Sequence, residues 1–332
     1  MKILIFGKDG QLGKAFKTVL TARTHEQHRI HYVGRAECDL LNVVAIATLL
    51  NQIKPDLILN AAAYTAVDKA ETEIDLAFAI NAKAPEIMAQ YAVSHNATLL
   101  HYSTDYVFDG TKDFIYAEDD VCNPLSIYGK SKVAGEEAIK CVFANHSIQS
   151  QPQPQPQPKS KSYAQYAILR ASWLYGDGDN FINTILRLAK ERDELRIISD
   201  QYGVPTNTEW IASVSLGLVL DDGGRIQRFP SGIYHAAPLG QTTWHGFATA
   251  VVQSAIEAGA VLKVKSKDIK PILAIDYPLP AQRPMNSRMG TNKLCAALKV
   301  IGDESKLEQL NQPWESLVKI YTKRLVGDGL IF

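Results

Sequence analysis

Residues 2–13 read Lys2-Ile3-Leu4-Ile5-Phe6-Gly7-Lys8-Asp9-Gly10-Gln11-Leu12-Gly13, an apolar run that stops on a glycine turn. From Gln11 to Leu20 the apolar residues recur every three or four positions, the period of a helix. Strand, glycine turn and helix in that order are the context in which three spaced glycines cradle a dinucleotide. Gly7 permits the tight turn, Gly10 lets a pyrophosphate approach the backbone, and Gly13 lets helix and strand pack closely. Gln11 and Leu12 open the helix whose N-terminus faces the anion.

The same alternation continues along the first half of the chain. Short apolar runs at 2–6, 30–33, 57–60, 98–103 and 167–169 predict strands, and helical patterns fill 11–20, 43–52, 76–94 and 130–142. Five such units make an α/β fold, a doubly wound (Rossmann) parallel sheet over residues 1–172. Ligands of such sheets bind beyond the carboxyl ends of the strands, so the loops at Gly7, Arg35, Ala61 and Thr104 are expected to converge on one crevice. A strict Gln-Pro alternation at 151–158 fits neither helix nor ladder strand, and the segment 147–162 reads as a polyproline II surface insertion. Beyond Trp173 the alternation weakens, with helical patterns near 181–191, 211–220, 244–258 and 314–326. Residues 173–332 are therefore expected to form a smaller substrate-binding domain, interleaved with the last strands of the sheet.

Composition narrows the class. Of 332 residues 46% are hydrophobic and 21% charged, which excludes wholesale disorder and a coiled coil. Thirty-five Lys+Arg against 35 Asp+Glu leave no basic surplus for counterion release along a nucleic acid, so none is expected as partner. The apolar run at 3–6 is too short for a signal-peptide core or a membrane span, which predicts a cytoplasmic protein. Four scattered cysteines without a CxxC pair suit a reducing compartment and read as buried thiols rather than a zinc site. His235 and His245 have no metal-ligand spacing and read as structural.

The end of the second strand usually separates NAD from NADP. Arg35 stands there and suits a 2′-phosphate, so NADPH is the expected cofactor, with NADH left open. Asp39-Leu40 would flank the adenine, or Asp39 would cap a helix; Ala61, Ala62 and Ala63 let a cofactor lie against the third strand's end. Tyr128 and Lys132 are four apart on a helical pattern and face one side. An ammonium beside a phenol favours the phenolate, which would tune Tyr128 for proton exchange with a developing alkoxide while Lys132 holds the nicotinamide ribose. Thr104, at the end of the fourth strand, supplies a further hydrogen bond to the reacting oxygen.

These residues resemble the extended short-chain dehydrogenase/reductases and, within them, the dTDP-4-dehydrorhamnose reductase family. The resemblance rests on 7–13, on Asn60-Ala61-Ala62-Ala63-Tyr64 through Glu71, on Ser103-Thr104-Asp105-Tyr106, Pro124–Lys130, Arg170–Trp173, Asp200–Thr206 and Arg283-Pro284-Met285-Asn286-Ser287. It implies catalytic Thr104, Tyr128 and Lys132, a cofactor bordered also by Tyr64, and a sugar near Val67, Asp105, Tyr106 and Trp173. Asn180, Arg283 and Asn286 would face the nucleotide-sugar phosphates; a core aromatic is the alternative for Trp173 and an ion pair for Arg283. The implied reaction reduces the C4 ketone of dTDP-4-dehydro-L-rhamnose to dTDP-L-rhamnose, for cell-surface polysaccharide. Another nucleotide-sugar 4-ketoreductase and a non-catalytic, cofactor-binding regulatory subunit are the alternatives. Some members bridge a homodimer with Mg²⁺ held by three glutamates. The matching positions here are Ala15, Glu209 and Arg324, too few oxygen donors for a hard cation, so no metal is expected and the dimer loses that support.

Overall fold

The computed structural model describes residues 1–22, 28–149, 164–301 and 304–329. The five expected strands form as Lys2–Phe6 (β1), Arg29–Val33 (β2), Leu57–Asn60 (β3), Thr98–Thr104 (β4) and Gln165–Ala171 (β5). A sixth strand, Gly232–His235, arrives from the C-terminal half and pairs with β5. The six make one parallel sheet in the order β2, β1, β3, β4, β5, 232–235. Side chains alternate across it. Ile3 and Ile5 point into a core shared with α1 (Gln11–Ala22) and the helix Thr208–Val219, while Leu4 and Phe6 point into a second core with α2 (Val43–Ile53), Ala84–His95 and Ile127–Gln149. Helices thus cover both faces of the sheet. The strand order reverses between β1 and β3, which opens the crevice at their carboxyl ends.

The helix expected over 76–94 is in three pieces. Ile74–Phe78 passes through a π-turn at Ala79–Lys83 before the chain resumes as Ala84–His95. Pro85 has no N–H to give the carbonyl four residues back, and Gly135 packs so close to the Asn81 carbonyl that a Cβ on it would lie 2.0 Å from that oxygen. The pattern at 130–142 is longer than expected, Ile127–Gln149, so the start of the 147–162 excursion is helical. The Gln-Pro repeat itself lies outside the described residues. In the C-terminal half the helices Phe181–Glu191, Trp244–Glu257 and Trp314–Gly327 surround a third core built on Phe247 and Tyr175. Thr208–Val219 starts three residues ahead of expectation because the Asn207 side chain caps it, accepting from Trp210 N at 3.0 Å. Only one of the four thiols is fully buried, Cys38; Cys122 and Cys295 are half-buried and Cys141 is exposed, because Cys141 lies on the outer side of its helix. His235 is buried and His245 reaches the Ile269 carbonyl at 3.0 Å, both structural placements. Among the described residues no helix is long and apolar enough to cross a membrane.

Candidate active site

A crevice of about 1070 Å³ runs along the carboxyl ends of β1 to β5. The four expected loops converge there: its wall includes Gly7, Gly10, Gln11 and Leu12; Arg35, Asp39 and Leu40; Ala61 through Tyr64 and Val67; and Thr104 through Tyr106. Tyr128, Lys132 and Trp173 complete it. Gly13, Asn180, Arg283 and Asn286 are not in the wall.

The glycine turn is shaped by contact. Gly7 has φ +86°, and a Cβ there would lie 2.7 Å from Ala62 N; a Cβ on Gly13 would lie 2.0 Å from the Gly7 carbonyl. Gly10 meets only that carbonyl, at 3.4 Å, and opens to the crevice. Gln11 Nε2 donates to the Asp179 carbonyl at 3.1 Å, leaving Oε1 buried without a partner in the crevice wall, as is Ser103 Oγ. A tight backbone cradle at a helix start, lined by orphaned polar atoms, fits a dinucleotide. Asp39 Oδ1 accepts from Leu41 N at 3.1 Å in a local turn, and the cap of α2 is Asn42 instead.

Thr104, Asp105, Tyr128 and Lys132 meet at the end of β4. Thr104 Oγ1 donates to Asp105 Oδ1 at 2.9 Å, accepts from Tyr106 N at 3.2 Å and lies beside the Tyr128 phenol. Tyr106 packs edge-on against Tyr128, with ring centres 5.8 Å apart. Burial pushes the Tyr128 phenol up to about 12, with Thr104 pulling it down and Asp105 adding to the rise. The tuning expected from Lys132 is not what the geometry provides. Lys132 Nζ donates to the Tyr102 carbonyl at 2.6 Å and lies 3.3 Å from His101 Nε2. Its ammonium is thus spent on the end of β4, and burial, opposed by Glu136, brings it down to about 8. Burial and Lys132 together hold His101 well below its usual value. Burial likewise raises Asp105 to about 6, against hydrogen bonds from Ser287 and Thr104.

On the C-terminal side, three expected phosphate contacts are engaged elsewhere. Asn180 caps Phe181–Glu191, accepting from Asn183 N at 3.1 Å and donating to the Gly176 and Gly178 carbonyls. Asn286 is buried, donates to the Lys112 and Phe114 carbonyls at 2.5 and 2.8 Å, and accepts from Arg288 twice. Arg283 forks onto Asp68 at 2.6 and 2.8 Å and stands beside Tyr106. The ion pair left open for Arg283 is therefore the one that forms. Trp173 holds φ +47° and stacks on Trp244 at 3.9 Å, both in the crevice wall. Arg324 bridges Glu209 at 2.6 Å and Asp177 at 2.7 Å, while Ala15 is buried in the core. Among the described residues no cluster of His, Cys, Asp and Glu is placed to hold a metal ion.

Two supports escaped the sequence reading. Asn81, buried in the π-turn, brackets the Tyr64 backbone at 2.9 and 3.0 Å and donates to Ser131 Oγ at 2.9 Å, tying the third loop to the helix of Tyr128. Its signal was a polar residue inside the apolar run 77–82. Glu71 Oε1 accepts from Ile127 N at 2.8 Å and caps that helix from 56 residues away, which no local pattern reveals.

The RmlD substrate binding domain family matches residues 1–150 and 158–311, leaving unmatched 151–157, inside the Gln-Pro repeat, and 312–332. The chain is 39% identical to the dTDP-4-dehydrorhamnose reductase of Escherichia coli K12 over 298 residues, 88% of this chain and 90% of that protein. It is similar to the crystal structure of a dTDP-4-dehydrorhamnose reductase from Clostridium acetobutylicum, with a TM-score of 0.79 and 32% identity, covering 98% of this chain and 99% of that one. The Bacillus anthracis reductase, solved in complex with NADP, gives a TM-score of 0.77 and 30% identity, covering 96% and 98%.

Proposed function

The chain belongs to the dTDP-4-dehydrorhamnose reductase family, and on that premise we propose that it reduces the C4 ketone of dTDP-4-dehydro-L-rhamnose to dTDP-L-rhamnose. The observation that carries this reading is the meeting of Thr104, Tyr128 and Lys132 in one crevice with the glycine turn. Residues 1–172 act as the dinucleotide-binding part and 173–332 as the sugar-binding part, which lends the strand Gly232–His235 to the common sheet. Gly7, Gly10, Gln11, Leu12 and Ala61 through Tyr64 would hold NADPH, with Arg35, Asp39 and Leu40 at its adenosine end; when bound, it supplies the hydride.

The remaining chemistry belongs to the chain's own side chains. A phenol near 12 stays protonated at neutral pH, so Tyr128 reaches the reaction as a proton donor. The C4 oxygen becomes a strong base as the carbonyl is reduced, and Tyr128 Oη gives it a proton. Thr104 Oγ1, whose hydrogen rests on Asp105 Oδ1 in the free protein, would turn it to the same oxygen and lower the charge that develops there. Lys132, fixed by the Tyr102 carbonyl, holds the ribose side of the cofactor. Val67, Asp105, Tyr106 and the Trp173 face border the deoxysugar, whose apolar ring face suits an indole. Cytoplasmic residence suits four cysteines without a disulfide.

The test is an assay of purified protein. NADPH should be consumed in equal amount with the keto-sugar, and not in its absence, with dTDP-L-rhamnose as the product identified by NMR. A product of different C4 stereochemistry overturns the substrate assignment.

A further inference from the structure

The charges around the end of β2 do not add up to a simple phosphate site. Gly7 N and Lys8 N both donate to the Val33 carbonyl, at 2.8 and 3.2 Å, which lays the glycine turn against the strand end. Asp9 consequently packs onto Gly34: a Cβ on that glycine would lie 2.1 Å from Asp9 Oδ2. Asp9, Gly34 and Arg35 all line the crevice. Two cations, Lys8 and Arg35, face three carboxylates, Asp9, Glu37 and Asp39. Lys8 is taken by Glu37, whose other oxygen accepts from Gly34 N at 2.8 Å. Arg35 is mostly exposed and leans on Asp39 at 3.7 Å. Asp9 forms no hydrogen bond or ion pair among the described residues, although Lys8 feels its charge.

A carboxylate at this place accepts a hydrogen bond from a ribose 2′-hydroxyl, and a guanidinium accommodates a 2′-phosphate. This chain has one of each, the carboxylate supplied by the turn rather than by the strand. Resting on the reading of the crevice as a nicotinamide site, we propose that Asp9 is a specificity-determining residue. It binds the 2′-hydroxyl of NADH and repels the 2′-phosphate of NADPH, offsetting Arg35 and weakening the protein's preference for NADPH. One unit charge within a few ångströms, screened by its exposure, shifts such a ratio by about tenfold.

The experiment titrates the full-length protein with NADH and with NADPH, in the absence of any sugar, following dihydronicotinamide fluorescence. In Asp9→Asn the ratio of the NADPH to the NADH dissociation constant should fall about tenfold, and in Arg35→Ala it should rise about tenfold. The kcat/KM ratio with the keto-sugar should follow. Binding of both cofactors with a ratio that Asp9→Asn moves less than about twofold overturns this inference alone. Binding of neither cofactor to the wild-type protein overturns the nicotinamide reading as well.

Discussion

The two walls of the crevice are made in different ways. The N-terminal wall is backbone and strand ends: Gly7, with Gly13 packed behind it, touches neighbouring backbone, and Thr104 sits where β4 stops. Its functional groups follow from local order along the chain, because a parallel strand delivers its last residue to the same edge each time. The C-terminal wall is side chains that hold one another. Behind it Asn180, Arg283 and Asn286, none of which lines the crevice, each reach a partner far away or in an irregular loop, and those contacts occupy their polar groups. A motif of polar residues in irregular structure therefore says that a residue matters, and not whether it matters to the ligand or to the fold.

This contrast can be broken or sharpened by substitution, starting where the effect is greatest. Gly13→Ala places a methyl against the Gly7 carbonyl, so we expect a loss on the order of 3 kcal/mol in urea unfolding together with loss of dinucleotide binding. Intact binding would mean that the turn is not the cradle. Asp105→Asn tests the strand end through pH. Burial raises Asp105 from 3.8 to about 6, so the folded protein keeps a proton that the unfolded chain releases at lower pH. The penalty is absent below about pH 4, grows as pH rises through 6 and levels off at about 3 kcal/mol. Asp105→Asn should therefore gain stability relative to wild type between pH 4 and 7; a difference that is flat with pH contradicts the buried carboxylate.

Behind the other wall the expected changes are structural. Asn286→Ala takes this partner from two carbonyls and from the Arg288 backbone N and Nε and should cost about 2 kcal/mol, with kcat per folded molecule within a factor of about two of wild type. Asn180→Ala removes a helix cap and should cost about 1 kcal/mol without moving the sugar KM. A rise of about tenfold in KM for either, at unchanged stability, would return that residue to the phosphate site.

The same division explains how much the chain's order disclosed. The five strands and the glycine turn were legible because period and punctuation are local, and the Tyr128 and Lys132 spacing was legible because a helix repeats every four residues. The sixth strand was missed because Gly232–His235 is short and reaches β5 only across the intervening 60 residues. Asn81 and Glu71 act through contacts separated by 50 and 56 positions, which periodicity does not encode. Lys132 was placed on the right face, but its partner was the Tyr102 carbonyl, whose availability depends on where β4 ends. The Tyr128 shift is upward, set by burial, where the spacing alone suggested a phenol pulled down by a cation.

The most direct measurement is the single-turnover rate of the Tyr128→Phe protein, loaded with NADPH and mixed with dTDP-4-dehydro-L-rhamnose at neutral pH. With the phenol as proton donor, the rate should fall by about 10²- to 10⁴-fold while the melting temperature and the NADPH dissociation constant stay near those of wild type. An undiminished rate in that variant, with sugar and cofactor bound, would contradict the account.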